Sequence, residues 1–317
     1  MSSTFARSRR PAALLALLGA LAAPLAGCGA GAGKAPGGTR LTVTQDFGAK
    51  AQHQAEAPKV AGSETVMRLL QRNAKITTRY GGGFVQSIDG IAGGREEGRP
   101  FDWFFYVNGV EASAGAASVR LHPGDRIWWD RHDWGAAMRV PAVVGSFPEP
   151  FLHGSEGRRL PVRVECVDPS SPACDTVYTA LTDLDVPAAK GGLGTAQVAD
   201  ALRVVVGPWV AAREDHALRQ LEAGPGRSGV YARPSADGRR IAALDPRGRT
   251  ARTLGPGSGL VAATRSGDDP PVWTVTGTDT AGVAAAAKAF TARTLGRRFA
   301  VAVSGGQPVA LPEDAAS

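Results

Sequence analysis

Trp103-Phe104-Phe105-Tyr106-Val107 sets five large apolar side chains in a row. Side chains of a strand alternate between its two faces, so Trp103, Phe105 and Val107 take one side while Phe104 and Tyr106 take the other. A sheet built on this segment needs cover on both sides, and a single helix covers only one. The second β-favouring run, Arg126-Ile127-Trp128-Trp129-Asp130, repeats the demand, and four of the six tryptophans fall between Trp103 and Trp134. Two sources of cover remain open: side chains from the C-terminal part of the chain, or a ligand or partner surface. For the second, the candidate binding residues are Trp103, Tyr106, Trp128, Trp129, His132 and Trp134, rings with polar tips suited to planar ligands or sugars.

The neighbouring segments supply the rest of a first domain, residues 41–140. Leu41-Thr42-Val43-Thr44 alternates as a strand, and Ser63 to Asn73 is expected as a helix capped by Ser63, with Val66, Leu69 and Leu70 on one face. Asp89-Gly90 and Asn108-Gly109 end hairpin strands, and Pro123-Gly124-Asp125 turns the chain into the last one. One helix against four or five strands is a β-grasp (ubiquitin-like) count. Alternation places Asp130 and His132 on one face and Asp133 on the other, so the group is expected as a solvated, salt-bridged rim including Arg131 and not as a metal site.

These blocks resemble a bacterial β-grasp domain of unknown function that is similar to the C-terminal domain of the cobalamin carriers transcobalamin and intrinsic factor. The resemblance rests on Thr65 to Leu70, Phe84 to Ile91, Trp103 to Val110 and Leu121 to Ile127, in that order. It implies an α+β ligand-binding module on an exported protein, with cobalamin or another planar molecule as the ligand class.

Prolines 141, 148 and 150 with Gly145 and Gly154 mark residues 141–159 as a linker. A second domain, residues 160–311, follows. Apolar strands at Leu160–Cys166, Leu202–Trp209, Val272–Gly277 and Phe299–Val303 alternate with helical patterns at Thr176–Leu184, Val210–Leu221 and Ala281–Leu295. That rhythm predicts an α/β domain with a mixed, largely parallel sheet. Three short segments between Gly229 and Leu254 read as antiparallel ribbon, and Asp279 or Thr280 is expected to cap the following helix. Cys166 and Cys174 flank a turn-forming Asp-Pro-Ser-Ser-Pro run and are expected to form a disulfide, since no further His or Cys nearby completes a metal site.

The N-terminus reads as a leader, residues 1–27. Arg7, Arg9 and Arg10 precede an apolar stretch from Ala12 to Ala23, which as a helix rises only about 18 Å against a hydrocarbon layer of about 30 Å. An export signal is the reading, by general secretion ahead of the twin-arginine alternative offered by Arg9-Arg10. Leu25-Ala26-Gly27-Cys28 resembles the bacterial lipobox, which implies that Cys28 becomes the mature N-terminus carrying acyl chains, palmitate among them. The alternative is an ordinary secretory signal with Cys28 left free. Residues 28–40 are a small, flexible tether with a reach of about 20 Å.

Of the net charge of +7, three charges sit on the leader arginines, so the remaining excess is too small and dispersed for a dedicated nucleic-acid binder. Ser304-Gly305-Gly306 precedes no helix, as a nucleophile elbow requires, and the histidines are scattered singly. The expectation is therefore a non-enzymatic, lipid-anchored binding protein on the extracytoplasmic face of the cell membrane, its small ligand or envelope-protein partner held by the β-grasp domain. The alternative is a structural or adhesive envelope lipoprotein without a small ligand.

Overall fold

The alternation of Leu41 and Val43 with Thr42 and Thr44 is realised as β1 (Arg40–Gln45), which a tight turn joins to antiparallel β2 (Lys50–Glu56). The computed structural model describes residues 38–56, 64–155, 157–195 and 200–313, all within one compact unit. The leader, Cys28, the tether as far as residue 37 and Ser63 lie outside the described residues; at the tether's expected end Thr39 is buried and Arg40 already belongs to β1. Helix α1 (Val66–Asn73) is capped by Thr65, whose hydroxyl accepts from the Arg68 N–H. Three strands, β3 (Ile76–Arg79), β4 (Phe84–Ile88) and β5 (Ile91–Ala92), form a small separate sheet. Next come β6 (Gly94–Glu96), the aromatic β7 (Arg99–Val107), β8 (Val110–Glu111) and β9 (Arg126–Asp133).

The first sheet has the order β2-β1-β9-β7-β6, with β8 paired to β7; β1 and β9 are parallel, and β7 and β9 antiparallel. Val66, Met67, Leu69 and Leu70 of α1 share one apolar cluster with Leu41, Val43, Trp103, Ile127 and Trp129. The opposite face carries Tyr106 and Trp128, and its cover comes from the chain itself: Trp209, Tyr231 and Phe299 lie in the same cluster.

The rest of the chain runs β10 (Val162–Cys166), α2 (Pro172–Thr182), β11 (Ala188–Gly192), β12 (Leu202–Pro208), the one-turn helices α3 (Trp209–Ala212), α4 (His216–Arg219) and α5 (Pro225–Ser228), and the ribbon β13 (Ala232–Pro234), β14 (Ile241–Leu244), β15 (Thr250–Leu254). It closes with β16 (Gly259–Thr264), β17 (Val272–Gly277), α6 (Thr280–Ala289), α7 (Ala292–Leu295), β18 (Ala300–Ser304) and β19 (Gln307–Leu311). A mixed seven-stranded sheet is ordered β11-β10-β12-β17-β16-β18-β19. Instead of being largely parallel, it is parallel through β11, β10, β12 and β17 and antiparallel in the remaining pairings. The cause is connection length. Only a few residues join β16 to β17, and Gly305-Gly306, both at positive φ, joins β18 to β19; a parallel crossover needs a dozen or more.

Two expected helices are broken. Asp215 accepts from the N–H groups of Ala217 and Leu218 and restarts the chain as α4, so Val210–Leu221 is a series of short turns. Thr291 likewise caps α7 and separates it from α6. Residues 141–159 are packed, in contrast to the expected linker. Val143, Val144, Phe147 and Phe151 are buried, and the Phe151 ring lies 5.0 Å from Trp273. Proline and glycine there mark irregular backbone, while the apolar side chains between them decide burial. Cys166 ends β10 and Cys174 lies in α2, and they form a disulfide with a Cα–Cα distance of 6.0 Å. Among the described residues no helix is long and apolar enough to cross a membrane.

Candidate functional site

The six aromatic and histidine side chains expected to hold a ligand are split between two cores. Trp103 and Trp129 face α1; Trp129 stacks on Phe105 at 4.8 Å, and the Trp103 indole donates to the Ile91 carbonyl at 2.9 Å. Tyr106 and Trp128 meet the edge of Phe299 at 5.6 and 5.3 Å. His132 lies 4.5 Å from Phe104 and 4.7 Å from Phe47. Of the six, Trp134 alone keeps partial exposure, and it donates to Asp102 at 3.2 Å. The expected aromatic platform is thus filled by side chains, because burying both faces of β7 removes more apolar surface from water than leaving one open.

The expected solvated rim is also internal: Asp130, Arg131, His132 and Asp133 are all buried. Asp130 accepts from Thr44 Oγ1 at 2.5 Å, from the N–H groups of Phe47 and Gly48 at 3.1 and 2.9 Å, and faces His132 Nδ1 at 2.9 Å. The carboxylate stands between the hydroxyl and the imidazole, so the ring does not reach the hydroxyl as a base would. Its role is to hold the β1–β2 turn. Arg131 is paired with Glu96, and Asp133 with Arg99 at 2.8 Å.

That turn forms one wall of a cleft of about 810 Å³. Asp46, Phe47 and Gly48 adopt φ of 55°, 57° and 84°, and a Cβ on Gly48 would come within 2.0 Å of the Arg297 carbonyl oxygen, so only glycine allows the approach. The rest of the lining comes from the Asp245–Arg249 loop between β14 and β15, the segment from Arg293 to Arg298, against which the turn packs, and the end of β19 with the chain after it. Arg297 itself sits at φ 57°.

Seven cationic side chains line the cleft against four carboxylates: Lys50, Arg99, Arg247, Arg249, Arg293, Arg297 and Arg298 against Asp46, Asp133, Asp245 and Glu313. All four acids are engaged. Lys50 pairs with Asp46, Arg99 with Asp133, Arg249 with Asp245 at 2.7 Å, and Glu313 with Arg252, which stands outside the lining. Burial would raise the Asp245 carboxyl, but hydrogen bonds from the Arg249 guanidinium and the N–H groups of Arg249 and Arg247 hold it below the usual carboxylate range. Among the described residues Arg247, Arg293, Arg297 and Arg298 pair with no carboxylate, and Arg298 Nη1 is buried without a hydrogen-bond partner.

Sequence reasoning missed this cleft because its charges come from segments some two hundred residues apart. The only trace is the arginine excess, thirty to six lysines, with Arg247, Arg249 and the Arg297-Arg298 pair inside it. No curated protein matches the chain. Residues 63–133, under a quarter of its length, match the family model of a domain of unknown function (DUF4430); the match contains α1, β7 and β9 but of the cleft only the wall formed by Arg99, Phe101 and Asp133.

Proposed function

We propose that this protein is an exported, lipid-anchored binding protein that holds its ligand in the arginine-lined cleft. The observation that carries the binding role is a concave site with four guanidiniums that pair with no carboxylate among the described residues, walled by residues of both sheets. Preorganised, uncompensated charge of one sign in a cleft is what a ligand site needs and what a purely structural protein gains nothing from. Export is supported by the Cys166–Cys174 disulfide, a bond that persists in oxidising compartments, and by the charged-then-apolar leader. Lipid attachment is supported by Leu-Ala-Gly-Cys28 followed by a flexible tether.

The parallel β1–β9 pair at the centre of the first sheet, with α1 on one face, supports reading it as a β-grasp module similar to that of the cobalamin carriers. A planar ligand on its aromatic face is not part of the proposal, since Phe299 and α1 occupy both sides. The filled face favours the structural or adhesive alternative; the cleft favours binding. The test is metabolic labelling with a fatty acid and detergent partition of wild type and Cys28→Ala. Wild type should be labelled and enter the detergent phase, and the variant should be unlabelled and released. An unlabelled wild type among cytosolic proteins would refute the anchored reading.

A further inference from the structure

The class of ligand can be taken one step further, resting on the reading of the cleft as the binding site. We infer that the cleft takes a phosphate-bearing ligand, with Arg247, Arg293, Arg297 and Arg298 as its counter-charges. The cleft's own acids are engaged by Lys50, Arg99, Arg249 and Arg252. Among the described residues the four remaining guanidiniums therefore have no carboxylate to compensate them, and the partner that supplies the compensation must be anionic. Arg298 lines the same cleft, and its Nη1 has no hydrogen-bond partner among the described residues.

The residue type narrows the anion. A chain with arginine in place of lysine at all four positions presents rigid planar forks, which match oxyanions bidentately. Carboxylate and phosphate both fit one fork. A phosphate group holds its acceptor oxygens tetrahedrally, three on a monoester and two on a diester, so one group can be shared between guanidinium forks, whereas the two oxygens of a carboxylate lie in one plane. Arg247 comes from the loop before β15, and the other three from the segment before β18. A volume of about 810 Å³ is far larger than a lone phosphate fills, so the group belongs to a larger molecule. That molecule is either a soluble phosphate ester or a phospholipid headgroup of the membrane beneath the anchor; the recognition chemistry is the same.

The experiment is calorimetric titration of the purified full chain with pyrophosphate, glycerol phosphate, citrate and a neutral disaccharide, together with co-sedimentation on vesicles of phosphatidylglycerol or phosphatidylcholine. Pyrophosphate and glycerol phosphate should bind with an affinity that falls as salt rises, and more tightly than citrate by roughly tenfold, about 1.4 kcal/mol. The exposed-site variants Arg247→Gln and Arg293→Gln, and separately Arg298→Gln, should each weaken binding several-fold with melting temperatures unchanged for the first two. Arg72→Gln, remote from the cleft, should bind as wild type. Sedimentation with phosphatidylglycerol alone, lost in the same variants, identifies the headgroup as the source. Citrate or disaccharide binding as tight as that of pyrophosphate and glycerol phosphate, and abolished in the variants, would overturn the phosphate assignment and leave the binding cleft standing. No binding of any probe would overturn both.

Discussion

Asp130 shows how one side chain ties sequence-distant parts of the first sheet. Its carboxylate receives Thr44, two N–H groups of the β1–β2 turn and His132, and it has no solvent exposure. Removing it leaves two amides and an imidazole without their acceptor in an interior site, so Asp130→Ala should lower stability by about 3–5 kcal/mol in urea unfolding, while Asp130→Asn, which keeps one acceptor oxygen, should lose less. A loss under 1 kcal/mol would mean that the turn is held by other contacts. A second residue-scale effect appears with pH. Burial raises the carboxyls of Asp102, Glu111 and Asp125 above their ordinary range, so above a pH of about 4 the folded chain holds protons that the unfolded chain has released. With more protons bound when folded, stability falls as pH climbs from the ordinary carboxylate value through the raised ones. Asp279 has the opposite sign: the N–H groups of Gly282 and Gly257 depress its carboxyl, and its contribution is present above about pH 4 and lost as pH drops. Asp102→Asn keeps an acceptor for Trp134 and removes the charge. Urea midpoints measured from pH 4 to 7 should show a shallower decline in that variant than in wild type; parallel curves would refute the assignment.

Among elements, the unit of β10, disulfide and α2 is the one most open to direct measurement. The bond closes a loop of nine residues, Cys166 to Cys174, and ties the end of a central parallel strand to the first turns of the helix covering it. Chain-entropy reasoning gives such a loop about 2.5 kcal/mol, so Cys174→Ser with Cys166→Ser should unfold at correspondingly lower urea. This pairing was readable because two cysteines around a turn run leave few alternatives, and the capping of α6 by Asp279 was readable because strand, small loop and acid stand in order. Other elements were readable only in part. Asp215 and Thr291 are ordinary N-cap residues lying inside runs with helical spacing, where apolar periodicity hid the restart they impose. The parallel half of the large sheet followed from strand-helix-strand rhythm, whereas its antiparallel half depends on β16, an apolar run after the Gly255-Pro256-Gly257-Ser258 turn with no helix between it and β17, which that rhythm does not count.

For the molecule as a whole, the demand written in Trp103 to Val107 for cover on both faces is met, but which of two covers meets it depends on long-range packing that local pattern does not carry. The same is true of the cleft, whose arginines acquire meaning only when the β1–β2 turn meets the segment before β18. Phe299 joins these facts. It is buried, adjoins Arg297 and Arg298 in sequence, and its ring lies 5.1 Å from Phe47, 5.6 Å from Tyr106, 5.3 Å from Trp128 and 5.3 Å from His132. Through it the first sheet and the seven-stranded sheet share one apolar cluster, so neither can lose its packing without exposing the other's. Two consequences follow for one substitution. Phe299→Ala should cost about 3–5 kcal/mol, the range for emptying a buried aromatic site. It should also move the whole thermal transition together: calorimetry should show a single peak in wild type and a single, lower peak in the variant, because a shared core couples the unfolding of both sheets. Two peaks in wild type, with the substitution shifting only one, would mean that residues 41–140 and 160–311 unfold as independent domains and that the cleft between them is held by neither.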